Sequence, residues 1–306
     1  MVSGLNLTEL GEIIAEFGPV IRIVIADHQG SSPRETGTSM LVTEHTQYGT
    51  IGGGALEYQA IATARQMLAN GKSKTFTKTP LGPALGQCCG GTVSLLWERF
   101  ESAEITGDTF FRATKNTEMP LSVRAYLRDI RSGAIANNPT LIDGWFIEPA
   151  SQQKQPIWIY GAGHVGRALV TVLDGLPFEI TWIDSDRERF PNHTKASILV
   201  AKNPADAVKH APDDARHIVL TYSHAIDLEI CHRVLNRSFA SLGLIGSATK
   251  RTRFLKRLRE SGADPSRLEC PIGDPNLGKE PMAIAIGVVS ALLKTQTSID
   301  SKRAHA

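Results

Sequence analysis

The sequence has few cysteines, no long apolar run and almost no excess of one charge. Its 306 residues include four cysteines, none of them in a C-x-x-C pair, which argues against a structural zinc site or a disulfide framework. No segment reaches the roughly 18 continuous apolar residues of a membrane-spanning helix. The 33 basic and 31 acidic residues leave a net charge of +2, which provides no general attraction to nucleic acid or to a membrane.

The N-terminal segment, Met1 to Glu16, has neither a basic region nor a long apolar run, so no signal peptide is expected. The composition is that of an ordinary soluble protein. We therefore expect a cytoplasmic protein with reduced thiols, and neither a membrane nor a nucleic-acid partner.

The length and the order of the apolar segments predict an α/β protein with two domains. The expected parts are an N-terminal α/β domain at 1–110, a connecting segment at 111–154 and a Rossmann-like doubly wound parallel-sheet domain at 155–306. Within the connecting segment, Leu121–Leu127 and Gly144–Ile147 have the pattern of strands. The polar stretch Ser151–Pro156 is the best candidate for a linker.

Hydrophobic periodicity predicts helices and strands in both domains. In the first domain the predicted helices are Leu7–Phe17 and Ala55–Asn70, and the predicted strands are Val20–Ala26, Ser39–Thr43 and Thr92–Trp97. In the second domain the predicted strands are 157–160, 179–184, 197–200, 217–221 and 241–245, and the clearest helices are 165–174 and 226–236. Strands that alternate with helices indicate a parallel sheet wrapped by helices.

A glycine-rich loop follows the first predicted strand of the second domain and satisfies G-x-G-x-x-G with Gly161, Gly163 and Gly166. The amides at the start of the following helix favour a phosphate or pyrophosphate. Asp184 ends the next strand, where an acidic residue would hold ribose hydroxyls. His164 inside the loop would crowd a pyrophosphate. The pattern thus predicts a nucleotide-binding type of fold, whose crevice either binds a nucleotide or keeps only its shape.

Two further stretches of the second domain allow two interpretations each. His224, in Thr221–His224 after the fourth predicted strand, could touch a ligand, or cap the following helix or pack against it. The run Lys250–Arg259 places six positive charges on a predicted helix. It is either a solvated face, with its apolar side chains turned inward, or a docking surface for an acidic partner.

The adjacent cysteines Cys88 and Cys89 carry the strongest chemical signal of the chain. They lie in Leu85–Gly91, where flanking glycines leave the backbone free for a tight turn and a close approach. Two neighbouring cysteines are badly placed to chelate one metal together, but a tight turn can present one thiolate. The alternative is a pair of small buried hydrophobic residues.

Two loops of small residues in the first domain could converge on the cysteine loop. One is Gly30–Arg34, whose Arg34 offers a guanidinium fork for a phosphate or carboxylate. The other is Gly52–Glu57, in which Gly53 and Gly54 precede a predicted helix and would add amide donors. Each loop could also be a plain tight turn, but three such loops in one domain favour a bound anionic ligand.

Together these motifs resemble the XdhC/CoxI family, and the resemblance spans nearly the whole chain. It rests on Gly30–Arg34, on Gly49–Gly54 with Leu56 and Glu57, on Leu85–Gly91, on the loop Gly161–Gly166, and on Cys270–Gly273 followed by Pro281. The Gln-Cys-Cys-Gly-Gly stretch is typical of the branch of this family that serves xanthine dehydrogenase.

The resemblance implies a cytoplasmic chaperone that binds and protects the molybdenum cofactor. Such a protein would work with a cysteine desulfurase, which installs the sulfido ligand, and would deliver the cofactor to the molybdenum subunit of xanthine dehydrogenase. A homodimer is expected. The residues expected to contact the cofactor are Gln87, Cys88, Cys89, Arg34, Gly53 and Gly54, and Cys88 or Cys89 is expected to bind the metal. The residues expected to hold the phosphate of the cofactor, or a nucleotide such as NAD(P), are Gly161, Gly163, Gly166 and Asp184.

The chain departs from the family pattern at two places. Relatives often have Gly-Gly-Cys-Leu-Glu where this sequence has Ala55 before Leu56, and often Thr-His-Asp-His where it has Thr221–His224. The second hypothesis for function is an NAD(P)-dependent oxidoreductase that uses the Rossmann site, although the chain has no Tyr-x-x-x-Lys pair. A third is a nucleotide-sensing regulatory module.

Overall fold

The computed structural model describes residues 5–82, 90–115, 117–151 and 154–304, with side chains described up to residue 295. The chain divides into two compact units, a first unit of residues 1–153 and a second unit of residues 154–306. In the described residues, no helix is both long enough and apolar enough to cross a membrane.

The first unit is built on a five-stranded antiparallel sheet. Its strands are β1 (Val20–Gln29), β2 (Ser39–Val42), β3 (Gln47–Gly49), β4 (Lys74–Pro80) and β5 (Thr92–Phe100), in the order β3-β2-β1-β5-β4. The predicted strands β1, β2 and β5 are confirmed. The sequence prediction missed β4, which is mostly polar and half exposed at the edge of the sheet.

Two helices cover the sheet of the first unit, and both were predicted. Helix α1 (Leu7–Phe17) begins at Asn6, whose side chain accepts a hydrogen bond from the Glu9 amide. Helix α2 (Gly54–Asn70) buries one stripe, formed by Leu56, Ala60, Ala64 and Met67, against the sheet. Gly71 ends α2 in the left-handed conformation, with φ of 69°, which a residue without a Cβ adopts most easily.

A second, three-stranded sheet belongs to the same unit. Its strands are β6 (Thr109–Ala113), β7 (Thr140–Ile142) and β8 (Trp145–Pro149), in the order β6-β8-β7. Residues 111–154 were expected to connect two domains, but the structure places most of this segment in the first unit, and the division between the units follows Gln153. The predicted strand Gly144–Ile147 corresponds to β8.

The prediction of a strand at Leu121–Leu127 is wrong, because this segment forms the first part of helix α3 (Leu121–Arg131). Its buried residues Val123 and Leu127 are four positions apart and lie on one helical face, against Ile147 of β8. The short alternation of apolar and polar residues suggested a period of two, whereas burial follows the helical period.

The second unit is a six-stranded parallel sheet flanked by helices. Its strands are β9 (Gln155–Tyr160), β10 (Phe178–Asp184), β11 (Ser197–Val200), β12 (Arg216–Val219), β13 (Ser241–Leu244) and β14 (Leu268–Glu269). Its helices are α4 (His164–Leu173), α5 (His224–Leu235), α6 (Ala248–Glu260) and α7 (Pro281–Ala304). The five predicted strands and the two predicted helices are confirmed, as is the predicted fold class.

The strands of this sheet follow the order β11-β10-β9-β12-β13-β14, which is the 3-2-1-4-5-6 order of the Rossmann fold. Separate clusters of buried side chains lie on its two faces, one under α5 and α6 and the other under α4 and α7. The chain reverses its direction of winding between β9 and β12. The loops after these two strands therefore border the crevice where ligands bind in such sheets.

Candidate functional site

In the first unit, the loop after β1 packs directly against the end of the cysteine loop. A Cβ on Gly91 would lie 2.1 Å from the carbonyl oxygen of Ser31, so only glycine fits there. A Cβ on Gly30 would lie 3.3 Å from the Cα of Gly91. The Leu81 amide donates to the carbonyl oxygen of Gly91 at 2.7 Å and ties together the two ends of the β4–β5 connection.

The second glycine loop packs on the other side of the same turn. A Cβ on Gly52, whose φ is 125°, would lie 2.7 Å from the Cβ of Pro33 and 3.6 Å from the Cγ of Arg34. The side chain of Arg34 is exposed. The turn at Gly30–Arg34 therefore contacts both the loop at Gly52 and Gly91, the described end of the cysteine loop, while the predicted convergence on the rest of that loop lies outside the described residues.

Glu57, in the first turn of α2, holds the glycine loop in place. Its carboxylate accepts hydrogen bonds from the Thr50 hydroxyl at 2.5 Å, the Ile51 amide at 2.9 Å and the Gly53 amide at 3.0 Å. Partial burial raises the pKa of Glu57, but these hydrogen bonds outweigh burial and leave the pKa below its ordinary value. Glu57 therefore stays ionised and shapes the loop.

The start of α2 presents backbone amides at this convergence. Gly53 and Gly54 have φ of 76° and 69°; the Gly53 amide already donates to Glu57, and Gly53 itself has no side chain to cap the amides that follow it. The first amides of a helix have no partner within the helix and attract anions. Together with Arg34, this loop can hold a phosphate or a carboxylate.

His28 and Glu35 flank the turn, and neither was predicted from the sequence as a site residue. His28 pairs with Val93 across β1 and β5, and its Nε2 lies 3.3 Å from Oε2 of Glu35. Among the described residues, its Nδ1 is buried without a hydrogen-bond partner. A histidine at the end of a strand that leads into a glycine loop was the available signal.

Gln87, Cys88 and Cys89 lie outside the described residues, and their predicted contacts with a cofactor stay predictions. Within the described part of the chain, no three histidine, cysteine or acidic side chains are grouped as metal ligands would be. The other two cysteines, Cys231 and Cys270, are free and buried. Burial raises the pKa of both thiols, so both stay protonated.

In the second unit, the glycine loop has the geometry predicted for it. A Cβ on Gly166 would lie 2.1 Å from the carbonyl oxygen of Gly161, so α4 can approach the strand closely only with glycine there. A Cβ on Gly161 would lie 2.5 Å from the carbonyl oxygen of Leu220. Nothing lies within 4 Å of a Cβ on Gly163, and this glycine faces open space at the start of α4.

Asp184 lies at the end of β10, as predicted, and its carboxylate binds the protein's own groups. Its Oδ2 accepts from the Ala162 amide at 2.6 Å, and its Oδ1 accepts from the Ser185 amide at 2.7 Å. Nη1 of Arg189 lies 3.3 Å from Oδ1, and the guanidinium stacks over the exposed ring of Tyr222, 5.2 Å from its centroid. Asp184 thus supports the glycine loop, and its predicted ribose contact stays a prediction.

The loop after β12 is held by a buried ion pair. Oδ1 of Asp227 accepts from the Thr221 amide and hydroxyl at 2.9 and 2.7 Å, and its Oδ2 lies 2.6 Å from Nζ of Lys250. Ser223, not His224, caps α5. His224 is exposed and meets the Phe254 ring edge-on at 6.4 Å, which agrees with a packing role.

Comparisons with known proteins agree with this architecture. The uncharacterized protein YqeB of Escherichia coli (strain K12) is 26% identical over 303 residues, which is 95% of this chain but 46% of that protein, so the chain spans about half the length of this relative. A crystal structure described as a xanthine dehydrogenase from Bacillus halodurans matches with a TM-score of 0.72, 21% identity and 96% coverage of both chains, which shows a shared fold.

Two family models match the chain, one in each unit. Residues 14–78 match the model of the XdhC and CoxI family, and residues 157–292 match that of the XdhC Rossmann domain. The two matches include the turn at Gly30–Arg34, the loop at Gly52–Gly54 and the glycine loop of the second unit. The chain belongs to the XdhC and CoxI family.

Proposed function

We propose that this protein is an accessory protein of xanthine dehydrogenase that binds the molybdenum cofactor as cargo, protects it and delivers it to the molybdenum subunit. Family membership supports an accessory role, and the similar solved structure carries the name of a xanthine dehydrogenase. In this proposal the protein is a carrier with no catalytic residue of its own.

The observation that carries the proposal is that, in the first unit, the turn at Gly30–Arg34 meets both the glycine loop at Gly52 and Gly91, the described end of the cysteine loop. Gly91 contacts the turn at Ser31, and Gly52 contacts Pro33 of the same turn. Arg34 and the first amides of α2 would hold the phosphate of the cargo. The glycines keep side chains away, so a bulky pterin can approach the backbone.

The thiols of the first unit would supply the contact with the metal. The chain has four cysteines, and Cys231 and Cys270 are buried with raised pKa values. A reactive thiolate is therefore expected from Cys88 or Cys89, in the sequence directly before Gly90 and Gly91. Thiolates are soft ligands that suit such a centre.

In this proposal the cofactor is bound, receives its sulfido ligand and is then transferred to the dehydrogenase. We propose that a cysteine desulfurase adds the terminal sulfido ligand while the protein holds the cofactor, and that the protein acts as a homodimer. Moderate affinity is expected, because a delivery protein has to release what it carries.

The test is to replace Cys88 and Cys89 by alanine, separately and together, in cells that make molybdenum cofactor. Molybdenum and pterin in the purified protein and the reconstituted activity of the dehydrogenase are then measured. At least one variant is expected to lose most of its bound cofactor. The matched control is Cys270→Ala in the second unit, which removes a buried thiol and should keep the cofactor. Unchanged loading in both single variants and in the double variant would contradict the thiol contact.

The oxidoreductase alternative rests on the Rossmann strand order and the glycine loop of the second unit. It is less well supported, because Asp184 already accepts from Ala162, Ser185 and Arg189. A nucleotide in this crevice would have to compete with Arg189. Titration with NAD and NADP, followed by cofactor fluorescence, separates the two functions, since saturable binding with turnover would favour the oxidoreductase.

A further inference from the structure

Helix α6 concentrates the positive charge of the chain. Its 13 residues include six basic residues and one acidic residue, whereas the complete chain has a net charge of only +2. The helix therefore carries more net positive charge than the whole protein, and the rest of the chain is net negative. A local concentration of one charge sign on a nearly neutral protein steers an oppositely charged partner to that place.

The basic side chains are divided between the inside and the outside of the unit. Lys250 turns inward to Asp227 and is only 11% exposed. Arg253, Lys256 and Arg257 are exposed and, spaced by three and four residues, form one stripe along the helix, beside the side that buries Phe254 and Leu258. We call Arg253, Lys256 and Arg257 the basic stripe.

The stripe is hardly neutralised by the protein itself. Lys256 lies 3.8 Å from Glu260, and both side chains are largely exposed, so this pair contributes little. Among the described residues, no ion pair joins Arg253 or Arg257 to a carboxylate. The stripe is thus available to a partner.

The position of the charges on the helix argues against a purely local role. Cations stabilise the C-terminal end of a helix and destabilise its N-terminal end, by about 0.3–1 kcal/mol each. Arg257 and Arg259, in the last turn, are placed favourably. Lys250 and Arg251 lie near the N-terminal end, which has no acidic residue in its first turn, and Arg253 lies beyond that turn, where the helix dipole contributes little. Favourable interaction with the helix dipole therefore does not account for Arg253.

We infer that the basic stripe is a docking surface for an acidic patch on a protein partner. A single-stranded nucleic acid fits less well, because such binding uses exposed aromatic rings, and Phe254, the aromatic residue of this helix, is buried. This inference rests on the proposed function, which names the partner: the molybdenum enzyme that receives the cofactor.

The experiment measures binding of the full-length protein to purified xanthine dehydrogenase at salt concentrations from about 50 to about 500 mM. The test variant combines Arg253→Glu with Arg257→Glu. The control variant combines Arg124→Glu with Arg128→Glu, two exposed arginines of α3 with the same spacing and the same change of net charge. Thermal unfolding and molybdenum content are recorded for every protein.

We expect the α6 variant to bind the dehydrogenase at least about tenfold more weakly at low salt and to lose most of the salt dependence. The α3 variant should bind as the unaltered protein does. Both should keep their cofactor. If the reversal variant does not fold, Arg253→Gln with Arg257→Gln should give a smaller loss in the same direction.

Three results would overturn the inference: equal weakening by both variants, binding by the α6 variant as tight as that of the unaltered protein, or tighter binding of an RNA homopolymer than of the dehydrogenase through the same stripe. Salt-dependent binding by a protein that carries no cofactor would contradict the proposed function and leave the docking surface intact.

Discussion

In the first unit, four buried charged side chains form one connected network. In the second unit, the two buried carboxylates of the described residues lie apart from each other. Arg22 of β1 donates twice to Glu148 of β8, at 2.6 and 2.8 Å. Arg112 of β6 reaches Glu148 at 2.7 Å and Glu98 of β5 at 2.6 Å. This buried charge network joins the five-stranded sheet to the three-stranded sheet.

In the second unit each buried carboxylate holds one loop at the end of a parallel strand. Asp184 binds the glycine loop after β9, and Asp227 binds the loop after β12 and Lys250. The comparison shows two uses of buried charge. In the first unit it sets how two sheets meet, and in the second it shapes the crevice.

The largest expected effect comes from breaking the network with Glu148→Gln. Burial raises the pKa of Glu148, but Arg22 and Arg112 outweigh it and hold the pKa below the ordinary value. The variant leaves the buried guanidinium of Arg22 without its carboxylate and leaves Arg112 with Glu98 alone, so the free energy of unfolding of the first unit should fall by about 3–5 kcal/mol. Urea denaturation, with hydrogen exchange at β1 and at β9, measures the loss in each unit. The pair of Arg99 and the exposed Glu101 provides the control, since Glu101→Gln should change little.

A smaller effect should distinguish the units on acidification. Burial and then Arg237 lower the pKa of His217 in the second unit to about 3, against an ordinary value of 6.5. Between these values the unfolded chain binds a proton that the folded unit does not. The stability of the second unit should therefore fall as the pH drops below about 6.5, by up to about 1.4 kcal/mol per pH unit.

The first unit should respond at lower pH. The pKa values of Glu57 and Glu148 lie below the ordinary 4.5, so their contribution is present above that pH and is lost only as the pH falls below it. Hydrogen exchange of both units between pH 7 and pH 5 checks the order. The hydroxyl of Tyr160 lies 3.0 Å from Nδ1 of His217. His217→Gln removes the titrating ring, keeps a polar partner for this hydroxyl and should flatten the response of the second unit. If the first unit lost stability at a higher pH than the second unit, this account would be contradicted.

The smallest effect concerns the glycines that let loops approach one another. Gly91→Ala places a Cβ 2.1 Å from the carbonyl oxygen of Ser31, whereas Gly90→Ala meets nothing within 4 Å among the described residues. Gly91→Ala should lower the free energy of unfolding by about 1–3 kcal/mol, and Gly90→Ala should not lower it. Gly166→Ala and Gly163→Ala form the same pair in the second unit. Thermal unfolding measures all four, and equal effects within a pair would contradict the close packing.

The second unit was predicted from the sequence almost strand by strand, because each element carries its own periodic pattern and the glycine loop marks the first turn. The first unit was predicted less well. Helix α3 was taken for a strand because seven residues do not separate a period of two from one of 3.6. The edge strand β4 was missed because a polar, half-exposed strand has no apolar signal.

The sequence predicted the parts of the candidate site, but only the structure shows how these parts are arranged. The sequence placed glycines in three loops, and the structure brought the described parts of all three to one turn at Ser31 and Pro33. Neither Glu57 as the residue that holds this loop nor Asp184 as a support for Ala162 could be foreseen. Both roles depend on which backbone amide comes within reach after folding.

The sequence by itself determined the family, the class of fold and the supply of reactive groups: four cysteines, the glycine loops and a strongly basic segment. Only the tertiary structure decided that Cys231 and Cys270 are buried, that Lys250 turns inward while Arg253 and Arg257 face outward, and that four charges meet between two sheets. The physical reason is the distance along the chain over which each effect acts. Periodicity and turn chemistry act between neighbours in the chain, whereas burial and charge pairing depend on residues that are distant in sequence and meet only in the folded protein.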